Sequence, residues 1–199
     1  AASDVYKRQD YNNRGFENDE IKFPTNCPEC GTKLVKLDSE ANFYCTNTKR
    51  CRPQVIGKIQ HFVSRKAMNI DGLGDETIKL LYNKGYLKDI SDIYNLDYNS
   101  ISLIEGYADK SVDNLKMGIE NSKSKPFQKV LYGLGIRYVG ESASKKILKK
   151  IKSIDELMLM DLESLSEIDE SILFVKVIVK LSDKSSDKIV LIDIVSSKL

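Results

Sequence analysis

A mainly α chain, opened by a small four-cysteine ribbon and closed by an atypical tail, is what this sequence predicts. Three observations predict it. All four cysteines lie between residues 27 and 51 of a 199-residue chain. The stretch after them alternates helical apolar spacing with short glycine-bearing corners, as in Ile70-Asp71-Gly72-Leu73-Gly74. After Gly140 no glycine appears, and β-branched runs take over.

The composition sets the bounds. At 41% hydrophobic and 30% charged residues it is that of an ordinary soluble domain. The length suits one domain or two small ones with a core of their own. No apolar run approaches the roughly 18 residues of a membrane span, and no signal-peptide pattern opens the chain. A cytoplasmic home without a membrane partner is therefore expected. In that compartment clustered thiols usually mean metal rather than disulfides. A formal net charge of +2 says nothing about partners. Residues 1–9, AASDVYKRQ, carry no periodicity and read as a non-native scar resembling a translated adapter, so they are set aside from the fold.

The ribbon comes first. Cys27 and Cys30 are separated by two residues, with Pro28 and Gly31 framing a tight turn. Cys45 follows after fourteen residues and Cys51 after five more. A CxxC turn aims two thiolates at one ion, and a second pair completes a tetrahedron at Zn–S distances of about 2.3 Å. Between the pairs, 33–37 and 42–44 read as short strands joined by a turn at Asp38-Ser39-Glu40. The whole reads as a zinc ribbon over residues 27–58. With four cysteines as ligands no coordination position stays open, which points to a structural zinc rather than a catalytic one. Disulfide pairing and redox sensing are the weaker alternatives. His61, the lone histidine, reads as a packed or capping residue rather than a further ligand.

The helical part is built on repeated corners. Residues 64–69 (SRKAMN) read as a short helix, 70–74 as a corner, and 75–84 as a second helix with Ile78, Leu81 and Tyr82 at core spacing. Gly85 stops it. This is the helix-hairpin-helix pattern. Gly72 and Gly74 permit positive φ and close approach of a partner, and the next helix offers its N–H groups and positive dipole end to an anion. A DNA phosphate suits that geometry. The pattern recurs at 127–134, 135–140 and 141–151. On that last helix Ile147, Leu148 and Ile151 share one face, while Lys145, Lys146, Lys149, Lys150 and Lys152 cover the other. Eight basic residues stand against one acid, Glu141, between Lys125 and Lys152. Clustered charge behind a glycine corner reads as phosphate tracking, with a merely solvated face as the bland alternative. A third copy, Leu103–Ala108 followed by a helix over 109–121, has alanine where the second glycine would be. It is expected to serve packing more than contact.

The runs CPECG…CTNTKRCRPQ, HFVSRKAMNIDGLGDETI, DIYNLDYNSISLIEG and LYGLGIRYVGESASKKI together resemble the C-terminal half of bacterial NAD-dependent DNA ligases, over about residues 10–168. The resemblance implies a domain order of adenylation domain, OB-fold, zinc ribbon, helix-hairpin-helix domain and often a BRCT module. Residues 10–26 would then be the exit from the OB-fold, 27–58 the ribbon and 59–168 the DNA-binding domain. It implies nick sealing in replication and repair, using NAD and Mg. A lysine in a KxDG motif takes AMP from NAD and passes it to the 5′-phosphate. No KxDG occurs here; the nearest text, Asn69-Ile70-Asp71-Gly72, has asparagine in place of lysine. Without that nucleophile there is no covalent AMP intermediate, so the chain alone is expected to be inactive and to bind neither NAD nor Mg.

What the resemblance carries over is the grip. Cys27, Cys30, Cys45 and Cys51 are the expected zinc ligands. Arg65, Gly72, Gly74, Gly106, Lys110, Ser111, Arg137, Gly140, Lys145, Lys146 and Lys149 are the expected DNA contacts. The implied partners are nicked duplex DNA and the adenylation and OB domains of the same polypeptide, with a monomer expected. Nicks occur in any sequence, so contacts should go to phosphates and the minor groove. A different class also fits: a free-standing zinc and helix-hairpin-helix adaptor or nuclease accessory module. A helical scaffold whose corners only turn the chain is the plainest reading.

The resemblance ends before the tail. A fourth hairpin is expected after Leu165-Ser166-Glu167-Ile168, but Asp169-Glu170-Ser171 takes its place. Residues 172–181 and 188–195 read as strands around SDKSSD. Residues 169–199 are read as frameshifted or truncated sequence, with a native β-hairpin or disorder as the alternatives.

Overall fold

The computed structural model describes residues 23–36, 41–136, 139–152 and Glu156. It divides into two compact units between Thr46 and Asn47.

The first unit is a hairpin of two short strands. Strand β1 (Leu34–Lys36) pairs antiparallel with β2 (Phe43–Cys45), Leu34 opposite Cys45, Val35 opposite Tyr44 and Lys36 opposite Phe43. A bridge from Asn26 to Lys33 extends the pairing toward the first cysteine turn. The expected turn at Asp38-Ser39-Glu40 lies outside the described residues. Among the described residues up to Thr46, Cys27 alone is buried. The apolar surface these described residues bury is by itself too small to offset the entropy of ordering them.

The second unit is helical and does have a core. Helix α1 (Arg52–Val63) starts at Cys51, with a proline in its first turn. It buries Val55, Ile56, Ile59, Phe62 and Val63, a spacing that places them on one face. It begins ahead of residue 59, where the sequence sets the start of the helical domain. Helix α2 (Asp75–Asn83), a 3₁₀ turn (Ile90–Asn95), α3 (Tyr98–Ser102) and α4 (Asp109–Ser122) come next, then α5 (Phe127–Gly133) and α6 (Glu141–Lys150). The buried faces of α1, α2 and α4 share one apolar cluster with Met68, Ile70, Leu73, Leu87, Ile93 and Ile101. A smaller cluster joins Leu131 on α5 to Ile136, Val139, Ile147 and Ile151.

The helices expected at 75–84, 109–121, 127–134 and 141–151 are present within a residue. Gly85 ends α2 with φ +83°. The short helix expected at 64–69 is not there. Ser64 leaves α1 in an extended conformation, and its hydroxyl donates to the His61 carbonyl at 2.7 Å. Successive turns then return the Met68 N–H to Phe62 O and the Ile70 N–H to Val63 O. This reversal buries Ala67 and Met68, which a continued helix would carry away from the core. The proposed scar at 1–9, the OB-fold exit up to residue 22 and the tail at 169–199 lie outside the described residues.

Candidate metal centre and nucleic-acid interface

Local hydrogen bonding builds the cysteine site. The Gly31 N–H donates to Cys27 O and the Cys27 N–H to Thr32 O, both at 2.8 Å, closing the CxxC turn. Gly31 sits at φ +70°, a conformation glycine adopts without a Cβ penalty. On the other side, the Cys51 N–H donates to Asn47 O at 3.1 Å, and Cys51 caps α1. The four Sγ atoms all lie within 4.8 Å of one another, and those of Cys30 and Cys45 are 3.5 Å apart. A tetrahedron with Zn–S bonds of 2.3 Å has edges of about 3.8 Å, so the donor set and its spacing fit zinc. Thr32 hydrogen-bonds Cys30 through its hydroxyl, 3.3 Å away, and through its backbone, and this lowers the Cys30 thiol to about 6. Thiolate is the form that ligates metal.

Glycine corners shape the second surface. Gly72 has φ +84° and Gly106 φ +86°, the same position in two copies of the motif. Helices α2, α4 and α6 then begin at Gly74, Ala108 and Gly140, and no side chain caps any of the three. The 3₁₀ turn and α3, which come after no such corner, are capped by the carboxylates of Asp89 and Asp97. Helices α1 and α5 also lack a capping side chain, but prolines stand at their starts. An uncapped first turn keeps its N–H donors available to an anion.

The environments of the corners differ. A methyl on Gly72 would lie 2.9 Å from Leu115 Cα, whereas nothing lies within 4 Å of one on Gly74, Gly106 or Gly140. The first glycine of the first hairpin therefore lets that corner pack on α4. In the Leu103–Ala108 copy, expected to serve packing more than contact, Ile104 and Tyr107 pack against the apolar cluster while Gly106 faces open space.

Charge is distributed unequally as well. The first turn of α2 carries Asp75 and Glu76. That of α4 carries Asp109, with Lys110 and Ser111 next, both exposed. In α6 Glu141 pairs with Lys145 at 2.9 Å, and this pairing holds the Glu141 carboxyl below its ordinary range. Lys146, Lys149, Lys150 and Lys152 are exposed beyond it. Arg65 is exposed in the turns after α1. Arg137 lies outside the described residues.

Sequence reading missed residues that hold the corners from inside. Gly118 in α4 is one: a methyl there would run into the Asp71 carbonyl. Gly133 is another, facing Phe62 and Ala67. His61 is packed, as expected, with Nε2 2.9 Å from Tyr132 O.

Comparison with known proteins places these features. The NAD-dependent DNA ligase C4 zinc finger domain matches residues 26–52. A SAM-like helix-hairpin-helix tandem matches 64–121, and a helix-hairpin-helix motif 129–171. The chain is 50% identical over 152 residues to a DNA ligase of Phocaeicola vulgatus, covering 76% of this chain and 23% of the relative. It is 48% identical over 161 residues to a DNA ligase of Flavobacterium psychrophilum, covering 81% and 24%. The four-cysteine stretch is thus similar to the zinc finger domain of NAD-dependent DNA ligases, and the helical part to helix-hairpin-helix modules. The chain spans about a quarter of the length of the ligases it matches. The four clustered cysteines fall within the matched zinc finger, and the uncapped helices within the matched helix-hairpin-helix stretches.

Proposed function

We propose that this chain is the DNA-gripping region of an NAD-dependent DNA ligase that seals nicks in duplex DNA during replication and repair in the bacterial cytoplasm. In this reading residues 10–26 leave the OB-fold, 27–58 form the ribbon and 59–168 the DNA-binding domain. Cys27, Cys30, Cys45 and Cys51 hold a structural zinc, which cross-links a unit whose described residues bury almost no apolar surface. The zinc supplies cross-linking, not chemistry. The adenylation and OB domains of the same polypeptide would use NAD and Mg. These 199 residues carry no KxDG lysine, so the chain alone forms no AMP intermediate and seals nothing.

One observation carries the reading: exposed corners lead into three helix starts that no side chain caps. Their main-chain N–H groups are indifferent to base identity, as contacts at a nick of any sequence must be. Gly74, Gly106 and Gly140 let a phosphate approach, with Gly72 shaping the first corner. Lys110, Ser111, Lys145, Lys146 and Lys149, together with Arg65 and Arg137, add charge along the backbone. The chain would act as a monomer.

Fluorescence anisotropy with the zinc-loaded chain and labelled nicked duplexes of unrelated sequence tests this. Affinity should be equal across sequences and fall with salt on a log–log slope of about −4.5, as roughly five phosphate contacts would give. Metal analysis should find one zinc per chain, released with loss of the ribbon by a strong chelator. Affinity that does not change with salt would rule out the phosphate grip.

A further inference from the structure

We infer that His61 is a positioning residue for the third hairpin, fixing the launch of the chain into Gly135 and Ile136 and so the placement of the α6 N-terminus that meets phosphate. The inference rests on the proposed phosphate grip. The last carbonyls of a helix have no partner within it. At the end of α5, Tyr132 O receives the Gly135 N–H at 3.1 Å and lies 2.9 Å from His61 Nε2. A carbonyl oxygen only accepts, so Nε2 carries the hydrogen. The bond joins residues 71 apart in sequence and falls where α5 gives way to the corner.

The imidazole also occupies space. Its ring centroid lies 4.9 Å from that of Tyr132, tilted by 57°. Gly135 stands at φ +63°, and a methyl there would lie 3.3 Å from His61 Cδ2. The glycine is therefore demanded twice, by its backbone conformation and by the ring beside it. The neighbouring residue of α1 crowds the helix two residues earlier, since a methyl on Gly133 would lie 3.1 Å from Phe62 Cδ2 and 3.2 Å from Ala67 Cβ. Phe62 and His61 thus seat the last turn of α5 against α1. Phe62 is fully buried and serves the core, whereas His61 alone of the two supplies a hydrogen-bond donor at the exit.

The path of the chain beyond α5 depends on that exit. Ile136 and Val139 bury themselves against Leu131, Ile147 and Ile151, and Gly140 then starts α6. Ile136 O accepts the Val139 N–H at 2.9 Å, so a shift at residue 135 is passed across this bond to the first turn of α6, where a few tenths of an ångström separate a good hydrogen bond to phosphate from a poor one.

Two variants of the full chain separate position from packing. His61→Phe keeps a ring of similar shape and removes the donor, while His61→Gln keeps an N–H donor. His61→Phe should bind nicked duplex roughly fivefold more weakly, as loss of one hydrogen bond's worth of alignment implies. Its amide resonances at 139–142 should move, with zinc content unchanged. His61→Gln should stay within about twofold of wild type. The ¹⁵N shifts of the wild-type imidazole should report hydrogen on Nε2. Wild-type affinity and unmoved 139–142 amides in His61→Phe would overturn the inference. So would a neutral ring carrying its hydrogen on Nδ1, a result that stands even if His61→Phe fails to fold. A wild-type chain that binds no nicked duplex would instead overturn the proposed function, leaving the amide shifts to decide whether His61 sets the hairpin.

Discussion

The first glycine corner, Ile70–Gly74, and the third, Ile136–Gly140, introduce helices of 9 and 10 residues and start both at an uncapped glycine. Their surroundings differ. The first lies on α4, with Gly72 against Leu115 and the Asp71 carbonyl against Gly118. It opens onto Asp75 and Glu76. The third has its own small core, is seated by His61 at the far end of α5, and opens onto a helix whose single acid is paired and whose lysines are exposed. The comparison separates two jobs that one motif can do. Close approach of a backbone serves packing when the approaching surface is the protein's own helix, and serves a ligand when it is open to solvent. Charge then sets how strongly the open side attracts phosphate.

The largest effect expected from this contrast is on stability. Gly118→Ala should destabilise the chain by about 2 kcal/mol, because the Asp71 backbone cannot yield as a side-chain tip can, and overpacking outweighs the gain in helix propensity. Gly74→Ala should leave stability within about 0.5 kcal/mol, since its added methyl meets nothing and φ is −76°. It should instead weaken nicked-duplex binding. Urea unfolding of both variants checks the difference. A Gly118→Ala midpoint equal to wild type would mean that the first corner is not held by α4.

His61 read as packed or capping, but the partners in this inward packing were not legible in the sequence. Gly118 stands within a helical run and reads as a mildly costly helix residue; its reason lies in a corner 47 residues earlier. His61 and Tyr132 are likewise brought together by the fold alone. The cysteine site was legible because its spacing is local and its chemistry specific, and all four sulfurs do cluster. Helices α2, α5 and α6 were legible because glycine or proline marks a boundary of each, and α4 because Gly106 stands two residues before its N-cap. Helix α1 carried a readable signal in Val55, Ile56, Ile59, Phe62 and Val63. It was hidden by starting directly on a cysteine, so that its first residues read as ribbon. The stretch 64–69 failed for the opposite reason. Its helix-forming residues yield to Ser64 capturing the end of α1, a local hydrogen bond that competes with helix continuation.

The next effect is on binding. Changing Lys145, Lys146 and Lys149 together to glutamine should lower nicked-duplex affinity by about tenfold or more at physiological salt, and flatten the log–log salt slope by about 0.9 for each lysine that meets a phosphate. Stability should barely move, because exposed charges contribute little to folding. Changing Lys79 and Lys84, on or beside α2, should cost much less affinity. Equal losses at the two helices would erase the electrostatic half of the comparison and leave only the packing half.

The smallest effect runs the other way. Asp75 and Glu76 stand in the first turn of α2, where carboxylates favour the helix dipole and repel phosphate from the same N–H groups. Glu76 is held by Lys79 at 2.7 Å, which mutes its charge without removing it. The double variant Asp75→Asn, Glu76→Gln should therefore bind nicked duplex about two- to threefold more tightly while losing a few tenths of a kcal/mol in stability per carboxylate. The two readouts move in opposite directions, which a general loosening of the fold cannot produce. The corresponding change at α6, Glu141→Gln, frees Lys145 as Glu76→Gln frees Lys79, but it does so beside the further exposed lysines of α6, so its gain should be larger than that of either carboxylate of α2 taken singly. Anisotropy titrations of the single variants Asp75→Asn, Glu76→Gln and Glu141→Gln at one salt concentration rank them, and a gain from either α2 change matching or exceeding that at α6 would show that the first corner, not the third, is the stronger phosphate contact.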